Sequence, residues 1–181
     1  EMANATLRLL LVEDNPADAR LLSEYLCAPH GDLFQCTHVE ALSEAIRYLE
    51  ADRFDLILLD LSLPDSQGLD TVRTVTRQAR GTPIVVLTGM DDETLGIASV
   101  RNGAQDYLVK GKADPQMLVR AIRYAVERHL IEEELVRYRD HLEELVAQRT
   151  TALAATNEAL ERQIGERIRA EGALESAHRR L

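Results

Sequence analysis

Polar residues close four of the apolar segments of this chain: Glu13 and Asp14 follow the first, Asp60 ends the third, Thr88 ends the fourth, and Lys110 follows the fifth. Taken singly, each has an ordinary explanation. An acid after a strand caps a helix or faces water, a Thr there turns the chain, and a Lys there is solvated. Gathered in one place, they make a specific chemistry. Three carboxylates at close range repel, so positive charge has to sit among them. An all-oxygen donor set suits a hard cation, Mg²⁺ or Ca²⁺, and the Lys supplies a second positive group. A carboxylate can attack phosphorus and form an acyl phosphate. Such a transfer needs mainly positioning and charge neutralisation, which an ammonium, a hydroxyl and a divalent cation provide.

These residues share a site only if the elements before them run in parallel. The pattern predicts a strand over Leu7–Val12, then a helix from Asn15 and Pro16 to about Ala28, an N-cap followed by a first-turn proline. A weaker strand covers about Leu33–Val39 and a helix Glu40–Ala51. Asp55–Asp60 is the strongest strand; a loop with Pro64, Asp65 and Gly68 leads to a helix over Leu69–Gln78. A strand at Ile84–Thr88, a helix over about Glu93–Asn102 and a short strand at Asp106–Val109 complete the alternation. Five apolar strands separated by helices predict an α/β fold with a parallel sheet. In such sheets, sites lie beyond the carboxyl ends of the strands.

Composition narrows the function. With 181 residues, 45% of them apolar, the chain can hold one domain with an extension; aromatics are only 4%, so the core is Leu, Val, Ile and Ala. A net charge of −10 argues against nucleic acid, whose phosphates need a basic footprint. Cys27 and Cys36 fit no metal-ligand spacing and are too few for a disulfide framework; they are expected to be buried thiols. No apolar run reaches the ~20 residues that span a bilayer. A cytoplasmic chain, with no membrane contact of its own, is the expectation.

From Asp114 and Pro115 a single helix is predicted, with no convincing stop before Leu181. At 1.5 Å per residue it would reach ~100 Å, too long to pack on one small domain. Its positions at alternating spacings of four and three are Ile131, Leu135, Tyr138, Leu142 and Leu145. Steps of four follow to Arg149 and Leu153, and the alternation resumes through Thr156, Leu160, Gln163, Arg167, Ala170, Leu174 and Ala177. This reads as a coiled coil with one stutter and a seam that turns polar; a solvated single helix is the competing reading. The pattern is unfinished at Leu181, as in a chain cut from a longer one. The expected organisation is a tail over 1–6, a domain over 7–128 and a helical extension over 129–181.

The domain resembles response-regulator receiver domains of two-component signalling. The likeness runs through Leu11–Asn15, Leu58–Gly68, Pro83–Gly89 and Gly103–Gly111, in order and spacing. It implies a flavodoxin-like sheet of strand order 2-1-3-4-5, an order for which the receiver is a known example. Asp60 would be the phosphoacceptor. Asp14 would bind Mg²⁺ directly, Glu13 would bind it through water, and the backbone carbonyl of Ser62 would be a further ligand. Lys110 would pair with the phosphate, Thr88 would be the switch hydroxyl and Tyr107 the switch aromatic. The implied partner is a histidine kinase or a histidine phosphotransfer protein. The domain would catalyse its own phosphotransfer and hydrolysis. Two departures stand out. Gly111 occupies the place where family members often have a Pro after a cis bond, and Gly89 stands where Ala is common.

The extension, through Leu142–Thr150, Asn157–Leu160, Glu166 and Arg167, resembles helices that precede kinase, sensory or diguanylate cyclase domains. That implies a parallel homodimer. Two other functions compete. An Asp-nucleophile phosphatase usually needs a second Asp two residues after the first, where this chain has Ser62. A scaffold kept only for dimerisation would not need the acidic pocket, Thr88 and Lys110. His129, His141 and His178 lack the flanking residues of a phosphoacceptor histidine, and Met90 and Met117 read as packing residues.

Overall fold

A computed structural model describes residues 6–27, 33–89 and 92–178. The chain folds as β1 (Leu7–Val12), α1 (Pro16–Cys27), β2 (Phe34–Val39), α2 (Leu42–Ala51), β3 (Leu56–Asp60), β4 (Ser62–Leu63), β5 (Ser66–Gln67), α3 (Leu69–Gln78), β6 (Ile84–Thr88), α4 (Glu93–Arg101), β7 (Asp106–Val109) and α5 (Pro115–His178). Five strands form one parallel sheet in the order β2-β1-β3-β6-β7. Counted along the sheet alone, this is 2-1-3-4-5, the expected topology. The addition is β4–β5, a two-stranded hairpin directly after β3, where the sequence predicts only a loop.

The sheet is buried on both faces, which is why its strands are unbroken apolar runs. Alternate residues feed two layers. Leu9, Leu11, Leu56, Leu58, Val85 and Leu87 pack with Leu22 and Leu26 of α1 and Leu118, Ile122 and Val126 of α5. Leu10, Val12, Ile57, Leu59, Ile84 and Val86 pack with Leu49 of α2 and Val72 and Val75 of α3.

The helix starts are built as the sequence suggests in two cases. The Asn15 carboxamide accepts the Ala17 N–H at 3.0 Å, and the Asp114 carboxylate accepts the Met117 N–H at 2.7 Å. The start of α2 is built differently. Ala41 at its N-cap offers no side-chain bond, and Asp65 in the hairpin turn accepts the N–H groups of Leu42 (2.8 Å) and Ser43 (2.9 Å). Slight burial opposes the charge of Asp65, but these donors hold its carboxyl below its ordinary value. A depressed carboxyl stabilises the fold above its unfolded value and loses that contribution as pH falls through the folded one. Asp65→Ala should therefore cost about 1 kcal/mol at neutral pH, with the gap to wild type closing in acid. Urea melts at the two pH values measure this.

The chain divides into two compact units, Glu1–Ile131 and Glu132–Leu181. In the second, the apolar side chains of α5 face water: Leu135 is 63% exposed, Leu142 45% and Leu153 63%. Ile164 and Ile168 are exposed too and lie to one side of the seam traced through Gln163 and Arg167. Met117 is 49% exposed, so it is not a packing residue: α5 turns it outward while Leu118 enters the core. Cys36 is half-buried against the first layer; the side chain of Cys27, and Met90 altogether, lie outside the described residues. No described helix is long and apolar enough to cross a membrane.

Candidate functional site

Parallel strands place their carboxyl ends together, and the polar residues gather there. Glu13, just past β1, is fully buried, and Asp60, the last residue of β3, is 4% exposed. Asp14 beside them is exposed. One oxygen from each of the three lies within 4.8 Å of the others. Lys110, just past β7, reaches in with its ammonium 2.6 Å from Glu13 Oε2 and 3.2 Å from Asp60 Oδ2. Its third neighbour is Asp18 in the first turn of α1, whose Oδ2 is 3.3 Å away. Sequence reading did not single out Asp18; only the helical offset of four from Asp14 could have suggested it.

The remaining bonds fix the frame. The Leu61 N–H donates to Asp60 Oδ1 at 2.8 Å, and the Asn15 N–H to Glu13 Oε1 at 3.2 Å. His38 of β2 lies with Nε2 2.7 Å from the Glu13 carbonyl oxygen, which can only accept, so Nε2 carries the proton. Among the described residues, the Lys110 ammonium is the one positive group against Glu13 Oε2, and no other donor reaches this buried oxygen.

Both partners are shifted upward, which disfavours the charged form of the glutamate and favours that of the lysine. Burial raises the Glu13 carboxyl above its ordinary value, and the like charge of Asp60 adds to this, more than Lys110 offsets. Burial works against the ammonium of Lys110, but Glu13 and Asp60 raise it on balance. The asymmetry follows from the count of neighbours: the cation has three carboxylates, while Glu13 has one cation and a like charge. Lys110 therefore stays protonated, and the carboxylates remain short of positive charge. Oxygen ligands from three converging acids and surplus negative charge around one ammonium fit a hard divalent cation.

Thr88 is buried at the end of β6. Its hydroxyl points to the Leu108 carbonyl oxygen at a long 3.5 Å, and its own carbonyl accepts the Lys110 N–H at 2.7 Å. Tyr107, on β7, is half-buried and lies against α4 at Gly96. A β-carbon added there would meet the tyrosine ring at 2.4, 2.8 and 2.9 Å, so the ring occupies the space that any other residue needs. Ser62 opens β4, two residues past Asp60. Gly111 takes φ +79°, and no peptide bond among the described residues is cis. Glycine after Lys110 thus serves a left-handed turn. A β-carbon on Gly89 would stand 3.7 Å from Asp92, so an Ala would fit.

Comparison with known proteins places the chain in a family. The family model for the response regulator receiver domain matches residues 9–123. The chain is 35% identical over 123 residues to the transcriptional regulatory protein BasR of Escherichia coli K12, covering 68% of this chain and 54% of that protein. It is 35% identical over 121 residues to the KDP operon transcriptional regulatory protein KdpE of the same organism, covering 67% and 52%. The chain thus spans about half the length of these relatives. Among solved structures, one assigned as a response regulator from Chloroflexus aurantiacus J-10-fl is 26% identical with a TM-score of 0.61, covering 68% of this chain and 99% of that one. A CheY-like receiver domain protein from Methanospirillum hungatei JF-1, 21% identical with a TM-score of 0.59 over 71% of this chain and 99% of that one, shares the fold. This chain belongs to the response regulator receiver domain family of two-component signalling.

Proposed function

We propose that the chain is a phosphorylation switch in which Asp60 accepts a phosphoryl group from the phosphohistidine of a histidine kinase or histidine phosphotransfer protein. The observation that carries this is the convergence of buried Asp60 and Glu13 with Asp14 around one ammonium. An Asp60 oxygen forms a bond to phosphorus while the bond to the donor imidazole nitrogen breaks, and that nitrogen keeps the electron pair. Lys110 balances the charge of the incoming phosphoryl oxygens. Asp14 and Asp60, the Ser62 carbonyl and, through water, Glu13 would hold Mg²⁺, which supplies charge neutralisation at phosphorus. Water attack on the acyl phosphate later returns Asp60.

Thr88 and Tyr107 would read the phosphate. A phosphoryl group brings about −1.5 to −2 charge and strong acceptor oxygens. It competes for the Thr88 hydroxyl, whose present bond is long. Thr88 is tied to β7 through Leu108 and Lys110, so its movement reaches the strand that carries Tyr107. Residues 7–128 would act as the receiver, and 129–181 would carry the state onward as a parallel dimer. The relatives bear the names of transcriptional regulators; this chain spans only part of their length, and its own net charge of −10 disfavours nucleic acid.

Acetyl phosphate with Mg²⁺ should add one phosphoryl mass to the wild type, read by intact mass spectrometry. Asp60→Asn, or wild type with excess EDTA, should take up none. Label persisting in Asp60→Asn would place the acceptor elsewhere.

A further inference from the structure

Asp18 stands at the mouth of the site. It lies in the first turn of α1, where an acid ordinarily serves the helix N-terminus. Asn15 already serves that end by receiving the Ala17 N–H. The Asp18 carboxylate turns instead to Lys110, 3.3 Å away, with its side chain 35% exposed. An ammonium has three N–H donors. Three carboxylates, Glu13, Asp60 and Asp18, stand within 3.3 Å of this one. Asp18 is not one of the three acids whose oxygens converge; its ion pair with the site is the one to the ammonium.

We propose that Asp18 is a positioning residue: it is a competing anchor that draws Lys110 toward the mouth of the site and slows phosphoryl acceptance from anionic donors. Lys110 has to exchange its Asp18 contact for a phosphoryl oxygen as the donor arrives. The uncompensated part of the Asp18 charge also opposes the approach of a dianion. An amide removes the charge and weakens the anchor to a neutral hydrogen bond. The inference rests on Asp60 as the acceptor. In the reaction, an Asp60 oxygen bonds to phosphorus, and the phosphorus–oxygen bond of acetyl phosphate breaks with its electron pair leaving on acetate.

The test is the rate of label uptake by the full chain with Mg²⁺, for wild type, Asp18→Asn, Asp18→Ser and Asp18→Glu. With acetyl phosphate at low salt, Asp18→Asn and Asp18→Ser should load roughly three- to tenfold faster than wild type. The gain should shrink at about 0.5 M salt, where charges are screened. It should also be smaller with phosphoramidate, which carries less negative charge. Asp18→Glu should stay near the wild-type rate. Equal rates for wild type and both neutral variants overturn the inference and leave Asp60 as acceptor standing. So does a gain that ignores salt and donor charge, since a purely structural change would behave that way. A wild type that takes no label at all overturns both readings.

Discussion

Lys110→Ala should lower the stability of the domain by about 2–4 kcal/mol at pH 8 in the absence of divalent cation. Removing one partner of a fully buried ion pair costs about 3–5 kcal/mol, because the other charge is left uncompensated. Here the lysine side chain is 21% exposed, so solvent screens part of that loss. The remaining carboxylates, Glu13 and Asp60, are buried side by side. The pH dependence has a definite sign. Burial already raises the Glu13 carboxyl. A raised group contributes stability fully below its unfolded value and loses it as pH rises through its folded value. The variant's deficit should therefore shrink toward pH 5 and widen toward pH 8. In the wild type the raised Lys110 keeps its contribution at neutral pH and loses it only in strong alkali. If Mg²⁺ occupies the site, a concentration a hundredfold above its dissociation constant adds about 2.7 kcal/mol. Urea melts of both proteins at the two pH values, with and without Mg²⁺, read all of this. Coincident curves would mean that Lys110 is not the counterion of the acidic pair.

The full chain should sediment as a dimer, and a version ending at Arg128 as a monomer. Ile131, Leu135, Tyr138, Leu142 and Leu145 form the most apolar stretch of the seam, and all are 40–64% exposed in a single chain. Complete burial of an exposed side chain of this kind is worth roughly 1.5–3 kcal/mol; half-exposed ones offer about half. Five per chain, from two chains, are set against the cost of bringing two chains together. The i,i+4 ion pairs at Glu133–Arg137, Arg139–Glu143 and Arg167–Glu171, worth about 0.3–0.5 kcal/mol each, lie within one helix and do not oppose pairing. Past Arg149 the seam is polar, and Ile164 and Ile168 fall beside it. Pairing there should be weaker and shifted in phase. A weak seam suits a switch, since an input of a few kcal/mol can then change which packing is populated. A monomer at tens of micromolar, or a dimer that persists without residues 129–181, would show that the helix does not hold the pair.

Most of the sheet could be read from sequence because burial on both faces writes it in plain letters. Ile84–Thr88 and Asp106–Val109 match to the residue, as does α3 at Leu69–Gln78. The convergence of Glu13, Asp14, Asp60 and Lys110 follows once the strands are known to be parallel, since topology alone brings their ends together. What was not legible depends on contacts between distant parts of the chain. Asp65 caps a helix 22 and 23 residues earlier in sequence, and nothing local to Ala41 announces it. The β4–β5 hairpin has two residues in each strand, too few for a period to show. Asp18 looks like any first-turn acid until the lysine arrives from 92 residues away, the interval between positions 18 and 110. Gly111 departs from the family's usual residue, and its left-handed backbone supplies the reason.

Gly96 lies on α4 eleven positions before Tyr107, and the two compete for one volume. That makes them a couple in evolutionary terms. A lineage that places a side chain at the first position must shrink, turn or relocate the ring at the second, and a lineage that replaces the ring leaves a hollow over the helix that a larger residue at the first position can fill. Neither change is neutral alone, and each opens the way to the other. Among relatives of this chain the two columns should therefore vary together, with glycine found where the ring is seated on α4 and bulk found where it is not.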